Sequence, residues 1–211
     1  MPRTFTQVDV FAPGPVTGNP VAVVHEASGL SDEQMLAFAR WTNLSETTFI
    51  LPPKTDEADY SVRIFTPGGE IPFAGHPTLG TAHAWLENGG KPRKSDVVQH
   101  CGIGLVRIAR IDGTLRFRAP NFSRYGDVDA HDIAAITAAL GIAPANVKHA
   151  SWIDNGPGWV GLVLESADAV LSLRPNISDL DNWRVGVIGP HATGEPADYE
   201  SRTIIRGTVT L

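Results

Sequence analysis

The chain has 211 residues, of which 42% are hydrophobic, so it can bury a sizeable core as one domain or two small ones. Its formal net charge is -6 without a basic stripe, which argues against nucleic acid and anionic membrane surfaces as partners. A single cysteine, Cys101, excludes an internal disulfide framework, and neither a signal core nor a membrane span is visible, so a cytoplasmic globular protein is expected.

Short strands and one capped helix are predicted first. The runs FTQVDVFA (5–12) and PVAVVHE (20–26) flank the turn-rich PGPVTGN and indicate a strand, a loop and a strand. A helix is predicted over 31–43, because Ser31 can cap it and Gln34 stands at the capping-box position.

The next elements are two strands, a second helix and a hairpin. TTFIL (47–51) and DYSVRIFT (59–66) favour strands, and the helix follows over 77–90, with Pro77 at its first position. Gly89 or Gly90 would end this helix, and its buried stripe would be Leu79, Ala82 and Leu86. A hairpin is expected around Asp112-Gly113.

Beyond Pro120 the chain is typical of a connection followed by a second, similarly built half. A third helix over 131–140 would end at Gly141. The later run SWIDNGPGWVGLVLES loosely repeats QVDVFAPGPVTGNPVAVVHE, which indicates two related halves. The final residues, TIIRGTVTL (203–211), are typical of a β-branched strand.

Glu46, in NLSETTFI, is a candidate for general acid/base chemistry. It lies between a helix end and a strand start, beside Leu44 and Phe49, where partial desolvation would raise its pKa. The alternative is a surface glutamate satisfied by neighbouring hydroxyl groups. The local residues leave both interpretations open.

The segment GHPTLG is a candidate anion site. Gly75 permits close approach of the backbone to a ligand, and the free amides of the following helix turn attract negative charge. His76 would sit at the cap, where it could bind a carboxylate or transfer a proton. The alternative is that His76 only caps the helix and Gly75 only makes the turn.

Other patterns argue against several kinds of site. The histidines lack metal-ligand spacing, so no metal site is expected. No G-x-G-x-x-G, P-loop or G-x-S-x-G motif occurs, which argues against nucleotide binding and serine hydrolysis. Cys101 is followed directly by a predicted strand and is expected to be buried. A racemase that uses a pair of cysteines is excluded for a single chain, because this sequence has one cysteine. The loop Asp154–Trp159 could face a substrate, but an ordinary hairpin turn is favoured.

Three segments in combination resemble the PhzF-like family of phenazine biosynthesis. They are VDVFAPGPVTGNPVAVV, NLSETTFIL and RIFTPGGEIPFAGHPTLGTAHAW, and the resemblance continues more weakly through WIDNGPGWVGLVL. It implies an α+β fold like that of diaminopimelate epimerases. Such a fold has two pseudo-symmetric, β-barrel-like halves, each around a central helix, with the active site in the cleft between them.

The resemblance also implies roles for individual residues. Glu46 matches the family's catalytic acid/base, and His76 is expected to act with it; the implied substrate-binding residues are Asn19, Gly75, Pro77, Thr78 and Gly156. In the well-studied member of the family, the reaction isomerises a dihydro-hydroxyanthranilate by moving a proton between carbons, without a metal or an organic cofactor. A small carboxylate-bearing substrate and a homodimer are therefore expected.

The second half departs from the family pattern. The segment Gly-Glu-Asp-Pro-x-Thr-Gly-Ser, which opens the second central helix, is not found. We therefore expect a first half over 1–118, completed by the C-terminal strand 203–211, and a reduced second half over 119–202. That half could be partly disordered, completed by a partner chain, or refolded into a smaller sheet.

Two functions of different classes follow. The first is a cofactor-independent isomerase or epimerase, and the alternative is a non-catalytic small-molecule binding or dimerisation module. A structural β-rich protein without a ligand site is a third interpretation. The enzyme hypothesis requires Glu46 and His76 to face each other across a ligand-sized gap.

Overall fold

A computed structural model of the protein describes residues 2–14, 16–155, 158–206 and 208–210. The chain divides into two compact units, Met1–Ala119 and Pro120–Leu211, which we call unit 1 and unit 2. Among the helices of these described ranges, none is long and apolar enough to cross a membrane.

Unit 1 is built on an eight-stranded sheet with two helices. Its elements in the described ranges are β1 (Phe5–Val10), β2 (Asn19–Val24), α1 (Asp32–Thr42), β3 (Glu46–Leu51), β4 (Tyr60–Thr66), β5 (Gly69–Ile71), α2 (Gly75–Glu87), β6 (Val97–Cys101), β7 (Gly104–Ile111) and β8 (Thr114–Phe117). The strand order is β1-β2-β3-β4-β6-β7-β8, and β5 pairs with β4. The neighbours β2 and β3 are parallel, as are β4 and β6, and a helix connects each pair because parallel neighbours need a crossover.

The alternation of side chains along β2 gives this sheet two apolar faces. Val21 and Val23 belong to a buried cluster with Ala82 of α2. Val24 belongs to a second cluster with Met35 of α1. The two helices therefore cover opposite faces of the sheet, as expected from a side-chain period of two.

Helix α1 confirms the local prediction. Ser31 is the N-cap, its hydroxyl accepts from the backbone amide of Gln34, and the Gln34 side chain accepts from the Ser31 amide. This is the reciprocal capping box, and it satisfies two donors at the helix start. Asn43 ends the helix in the left-handed conformation, with a φ of 53°.

Helix α2 begins two residues before the predicted start, at Gly75 instead of Pro77. Its N-cap is Ala74, whose side chain cannot cap, so no local polar signal marks this start. Leu79 and Leu86 of the predicted stripe are only partly buried, because the face against the sheet is made of small residues: Gly80, Thr81, Ala82 and Ala84. These small residues let the helix lie close to the strands.

Unit 2 is built on a six-stranded sheet. Its elements in the described ranges are β9 (Arg124–Asp127), α3 (Ala130–Leu140), β10 (His149–Asp154), β11 (Trp159–Val163), α4 (Ala167–Leu171), β12 (Arg184–Pro190), β13 (Tyr199–Ile205) and β14 (Thr208–Thr210), with short 3-10 turns at Pro144–Asn146 and Ile177–Leu180. Ile136 and Leu140 of α3 are buried in one cluster with Leu162 and Val187 of the sheet. Gly141 ends α3 with a φ of 73°, as predicted.

The two sheets share a pairing pattern. In unit 1, β1–β2 is antiparallel, β2–β3 parallel, and β3–β4 and β4–β5 antiparallel. In unit 2, the same sequence holds for β10–β11, β11–β12, β12–β13 and β13–β14. The loose sequence repeat thus corresponds to a structural one. Within the described part of unit 2, α4 stands where α1 stands and no helix corresponds to α2.

The C-terminal segment corrects one prediction. Residues 203–211 were expected to complete the first half, but Thr203–Ile205 belong to β13, which begins at Tyr199 and pairs with β12 of unit 2. Strand β14 then pairs with β13. The reason is local. The turn after β12 reverses the chain, so that β13 pairs with β12, and Ile204 is fully buried opposite Val185.

Candidate active site

Three element starts of unit 1 bring the candidate residues together. Asn19 opens β2 and Glu46 opens β3, and the parallel pairing of these strands aligns Val21 with Glu46. The hydroxyl of Ser45 donates to Asn19 Oδ1 at 3.3 Å, so the two strand starts are linked by side chains. The third contributor is the first turn of α2, which carries Gly75 and His76.

Glu46 and His76 lie in direct contact. Oε2 of Glu46 is 3.4 Å from Nε2 of His76, and the side chains are only 16% and 11% exposed, respectively. Neither of these two atoms has a hydrogen-bond partner among the described residues. Two buried polar atoms that face each other without a well-aligned hydrogen bond are costly, unless a proton or a ligand group joins them.

Burial lowers the pKa of His76 and raises the pKa of Glu46. Burial lowers the pKa of His76 to about 4, while a hydrogen bond with the Pro20 carbonyl acts in the opposite direction. Burial also raises the pKa of the Glu46 carboxyl, against a smaller lowering by Ser45. At neutral pH a neutral imidazole therefore faces the Glu46 carboxyl group through Nε2.

The first turn of α2 offers backbone donors beside this pair. Its N-cap, Ala74, makes no side-chain cap, and the proline at position 77 has no amide, so the N–H groups of Gly75 and His76 are the donors of this turn. Together with the helix dipole, two such amides favour an anionic group such as a carboxylate. His76 lies inside this turn and does not cap it, which corrects the sequence prediction.

Two predicted substrate-binding residues, Pro77 and Thr78, are buried. Pro77 is buried, and Thr78 is only 1% exposed. The Thr78 hydroxyl donates to the Ala74 carbonyl at 2.9 Å and accepts from Gln99 at 3.2 Å. The Thr78 side chain is therefore already hydrogen-bonded within the fold and has almost no exposed surface, while substrate binding by Thr78 stays a prediction.

The predicted loop of unit 2 behaves as a hairpin in its described part. Asp154, at the end of β10, is buried, and its carboxylate accepts from the backbone amides of Gly158 and Trp159 and from the Ser123 hydroxyl. These bonds close the turn, as expected from the favoured interpretation. Gly156, the predicted substrate-binding residue of this loop, lies outside the described residues.

The expected gap between Glu46 and His76 is not there. At 3.4 Å their side chains touch, so a ligand would lie beside the pair and not between its members. A cavity of about 520 Å³ in unit 1 is lined by His83, Leu86 and Arg110, farther along α2, and not by this pair. Within the described ranges no cluster of three or more His, Cys, Asp or Glu side chains could hold a metal ion.

Sequence reasoning missed the residues that tie β3 to α2. The hydroxyl of Thr81 lies 2.8 Å from that of Thr48 and 2.6 Å from the Pro77 carbonyl, and both threonines are fully buried. Thr48 is two residues after Glu46 and so shares its face of the strand. That spacing was the available signal: a polar residue in register with a candidate acid inside an otherwise apolar strand.

Comparison with known proteins places these features in context. The family model of PhzC-PhzF, described as phenazine biosynthesis-like protein, matches residues 8–205. A trans-2,3-dihydro-3-hydroxyanthranilate isomerase of Pseudomonas chlororaphis is 56% identical over 186 residues, which make up 83% of this chain and 62% of that protein. A Schizosaccharomyces pombe protein named antisense-enhancing sequence 1 is 41% identical over 189 residues, 84% of this chain and 63% of that protein.

A solved structure shares the fold. A PhzF-family phenazine biosynthesis protein of Enterococcus faecalis superposes with a TM-score of 0.75 at 25% identity, over 98% of this chain and 74% of that chain. The expected α+β, epimerase-like fold is thereby confirmed. The chain spans 62% and 63% of the length of the two relatives, just under two thirds of each.

Proposed function

The chain belongs to the PhzC-PhzF family of phenazine biosynthesis-like proteins, and we propose from this premise that it is a cofactor-independent isomerase. The reaction moves a proton between two carbons of a small, carboxylate-bearing substrate. The contact between Glu46 and His76 at the start of α2 is the observation that carries the proposal. A buried carboxyl with a raised pKa beside a neutral imidazole is suited to accept and return a proton near neutral pH.

Each residue of the site has a role in this reaction. The Glu46 carboxylate takes a proton from one carbon, the electron pair shifts along the conjugated system, and the protonated Glu46 returns the proton to another carbon. The N–H groups of Gly75 and His76 bind the substrate carboxylate at the helix start. His76 holds the shared proton close to Glu46, and Asn19, linked through Ser45, borders the site.

The substrate class follows from the relatives. The Pseudomonas chlororaphis relative is named for trans-2,3-dihydro-3-hydroxyanthranilate, a cyclic amino acid that bears a hydroxyl group and a carboxylate. Compounds of this class offer an acidic C–H group next to a conjugated system and an anion for the α2 start. They are the first substrates to test.

The alternative is a non-catalytic module that binds a small carboxylate or a second copy of the chain. It is favoured by one observation: the described part of unit 2 contains no counterpart of α2. A module of this kind would retain the anion site of unit 1 without turnover. Homodimerisation stays a prediction, which size-exclusion chromatography with light scattering would check.

Deuterium incorporation from solvent separates the two functions. The chain is incubated in D₂O with trans-2,3-dihydro-3-hydroxyanthranilate and with related cyclic amino and hydroxy acids, and the products are followed by NMR and mass spectrometry. An isomerase incorporates deuterium at carbon and converts the substrate, whereas a binding module leaves the compound unlabelled. Failure of every compound to exchange, although one of them binds, would establish the binding module instead.

A further inference from the structure

Three buried polar side chains form a hydrogen-bonded chain beneath the start of α2. The Tyr60 hydroxyl donates to Gln99 Oε1 at 3.1 Å, and Gln99 Nε2 donates to the Thr78 hydroxyl at 3.2 Å. The Thr78 hydroxyl in turn donates to the Ala74 carbonyl at 2.9 Å. We call Tyr60, Gln99 and Thr78 the buried relay; their exposed fractions are 1%, 0% and 1%.

The relay has one consistent direction. Gln99 lies beside Tyr60 in the parallel pair of β6 and β4, so both side chains enter the core on the same face. A flipped Gln99 amide would offer its carbonyl to Thr78, but the only hydroxyl hydrogen of Thr78 is already given to Ala74. Each link therefore depends on the next, and such buried polar chains impose a unique geometry when they are fully satisfied.

The relay braces the start of α2, which has no side-chain cap. Helix α1 is held at its start by the Ser31 capping box, whereas the N-cap of α2 is Ala74, without a side-chain hydrogen bond. The relay fixes the carbonyl of Ala74 from the neighbouring strands. The residues that follow Ala74 are Gly75 and His76, which carry the anion-binding amides and the imidazole.

We propose that Gln99 is a positioning residue, which acts through Thr78 and the Ala74 carbonyl to hold His76 against Glu46. Its consequence for catalysis rests on the proposed isomerase function, but the positioning itself is a property of the fold. Gln99 is not a catalytic residue, because its amide serves Tyr60 and Thr78 inside the core. A polar residue in the apolar strand VVQHC is thereby explained.

The test is an NMR titration of the His76 ring in four proteins: the unmodified chain, Gln99→Leu, Thr78→Val and Thr78→Ser. In the unmodified chain the ring stays neutral down to a pKa of about 4. Loss of the relay in Gln99→Leu and Thr78→Val admits water to the ring, so its midpoint moves toward that of an exposed histidine by roughly one pH unit or more. Thr78→Ser keeps the hydroxyl and is expected to titrate like the unmodified chain. Because Glu46 faces the ring, each midpoint is that of the pair.

Controls separate positioning from general damage. The backbone amide signals of α2 beyond its first turn, that of His83 among them, should stay dispersed in all variants, which shows that the helix is still folded. Thr78→Val preserves the side-chain shape, so it tests the proposal even if Gln99→Leu does not fold. Folded Gln99→Leu and Thr78→Val proteins with unmoved His76 midpoints would overturn the proposal. Absence of exchange activity in the unmodified chain would overturn the isomerase function alone, since the titration needs no substrate.

Discussion

Nε2 of His76 lies 3.4 Å from Oε2 of Glu46, and neither atom has another hydrogen-bond partner among the described residues. Burial lowers the pKa of His76 to about 4, so the ring that faces the carboxyl oxygen is neutral at neutral pH. Two acceptors at this distance repel each other when both are unprotonated, and a single proton between them removes the repulsion. The pair is thus arranged to hold one proton, and with that proton on Nε2 the Glu46 side chain is the carboxylate that the proposed reaction requires.

Replacement of Glu46 by glutamine is expected to abolish proton transfer while leaving binding nearly intact. The amide keeps the size of the side chain but cannot take a proton from carbon, so deuterium exchange should fall by roughly a factor of 10² to 10⁴. In the proposed function, binding of the substrate carboxylate depends on the amides of Gly75 and His76, so it should change little. Exchange is measured by mass spectrometry and binding by calorimetry.

A matched variant controls for a simple loss of charge. Glu57 is exposed, and Glu57→Gln removes the same charge elsewhere in unit 1 without an expected effect on exchange. Equal loss of binding and of exchange in Glu46→Gln would count against an acid/base role. It would show instead that Glu46 contributes to the architecture of the site.

The stability of the protein is expected to depend on pH through His76. The pKa of His76 is about 4 in the folded chain and 6.5 in the unfolded chain, so between these values the unfolded state binds more protons. The free energy of unfolding therefore rises with pH across this window, by at most about 3 kcal/mol. His76→Gln should remove this rise, and denaturant unfolding at several pH values from 4 to 7 measures it.

Glu46 is expected to change the free energy of unfolding with pH in the opposite direction to His76. Its pKa is raised above 4.5 in the folded chain, so the folded state binds the proton more tightly. The free energy of unfolding then falls as the pH rises from 4.5 through the folded pKa. The stability of Glu46→Gln, compared with that of the unmodified chain, should increase as the pH rises. The stability of His76→Gln, compared in the same way, should increase as the pH falls. Parallel trends in the two variants would contradict the assignment of these shifts.

Signals confined to a few neighbouring residues were sufficient to predict parts of the fold. The capping box at Ser31 and the hairpin at Asp112-Gly113 are encoded within three or four residues, and both are confirmed. The start of α2 was misplaced because Ala74 carries no capping group. The residues that hold the start of α2 are Tyr60 in β4 and Gln99 in β6. A local sequence pattern does not indicate such a tertiary contact.

Pairing partners were harder to predict than elements. The β-branched run at 203–205 is a strand, as expected, but the residues of a strand do not state which neighbour it joins. Likewise, the resemblance indicated that Glu46 and His76 belong to one site, but not that their side chains touch. That distance depends on how closely α2 approaches β3, which is set by small residues and by the contact of Thr81 with Thr48.

The capping box of α1 is expected to contribute a measurable part of the stability. Ser31→Ala removes the acceptor for the Gln34 amide and should cost about 1 kcal/mol of unfolding free energy. Ser31→Asp retains an acceptor and should cost much less. Urea denaturation of both variants gives the comparison, and an equal loss in the two would show that packing, not the cap, sets the helix start.

Gly80 controls how closely α2 lies against the sheet. A Cβ atom at this position would stand 2.4 Å from Cγ1 of Val21 and 2.9 Å from Cγ2 of Val10, far inside normal contact. In Gly80→Ala either the helix or the Val21 and Val10 side chains must therefore shift, with an expected loss of roughly 1 to 3 kcal/mol of unfolding free energy, although alanine is the better helix former. A shift of the helix would also move His76 from Glu46, so we expect deuterium exchange to fall more than it would from stability alone.

Gly186 provides the matched control. It lies in β12, and a Cβ atom there would meet no heavy atom within 4 Å, so Gly186→Ala should leave stability unchanged or raise it slightly. Both variants change a glycine to alanine, and they differ in the space available for the added methyl group. If Gly80→Ala is as stable as Gly186→Ala and exchanges deuterium at the normal rate, close helix packing is not what sets the geometry of the Glu46–His76 pair.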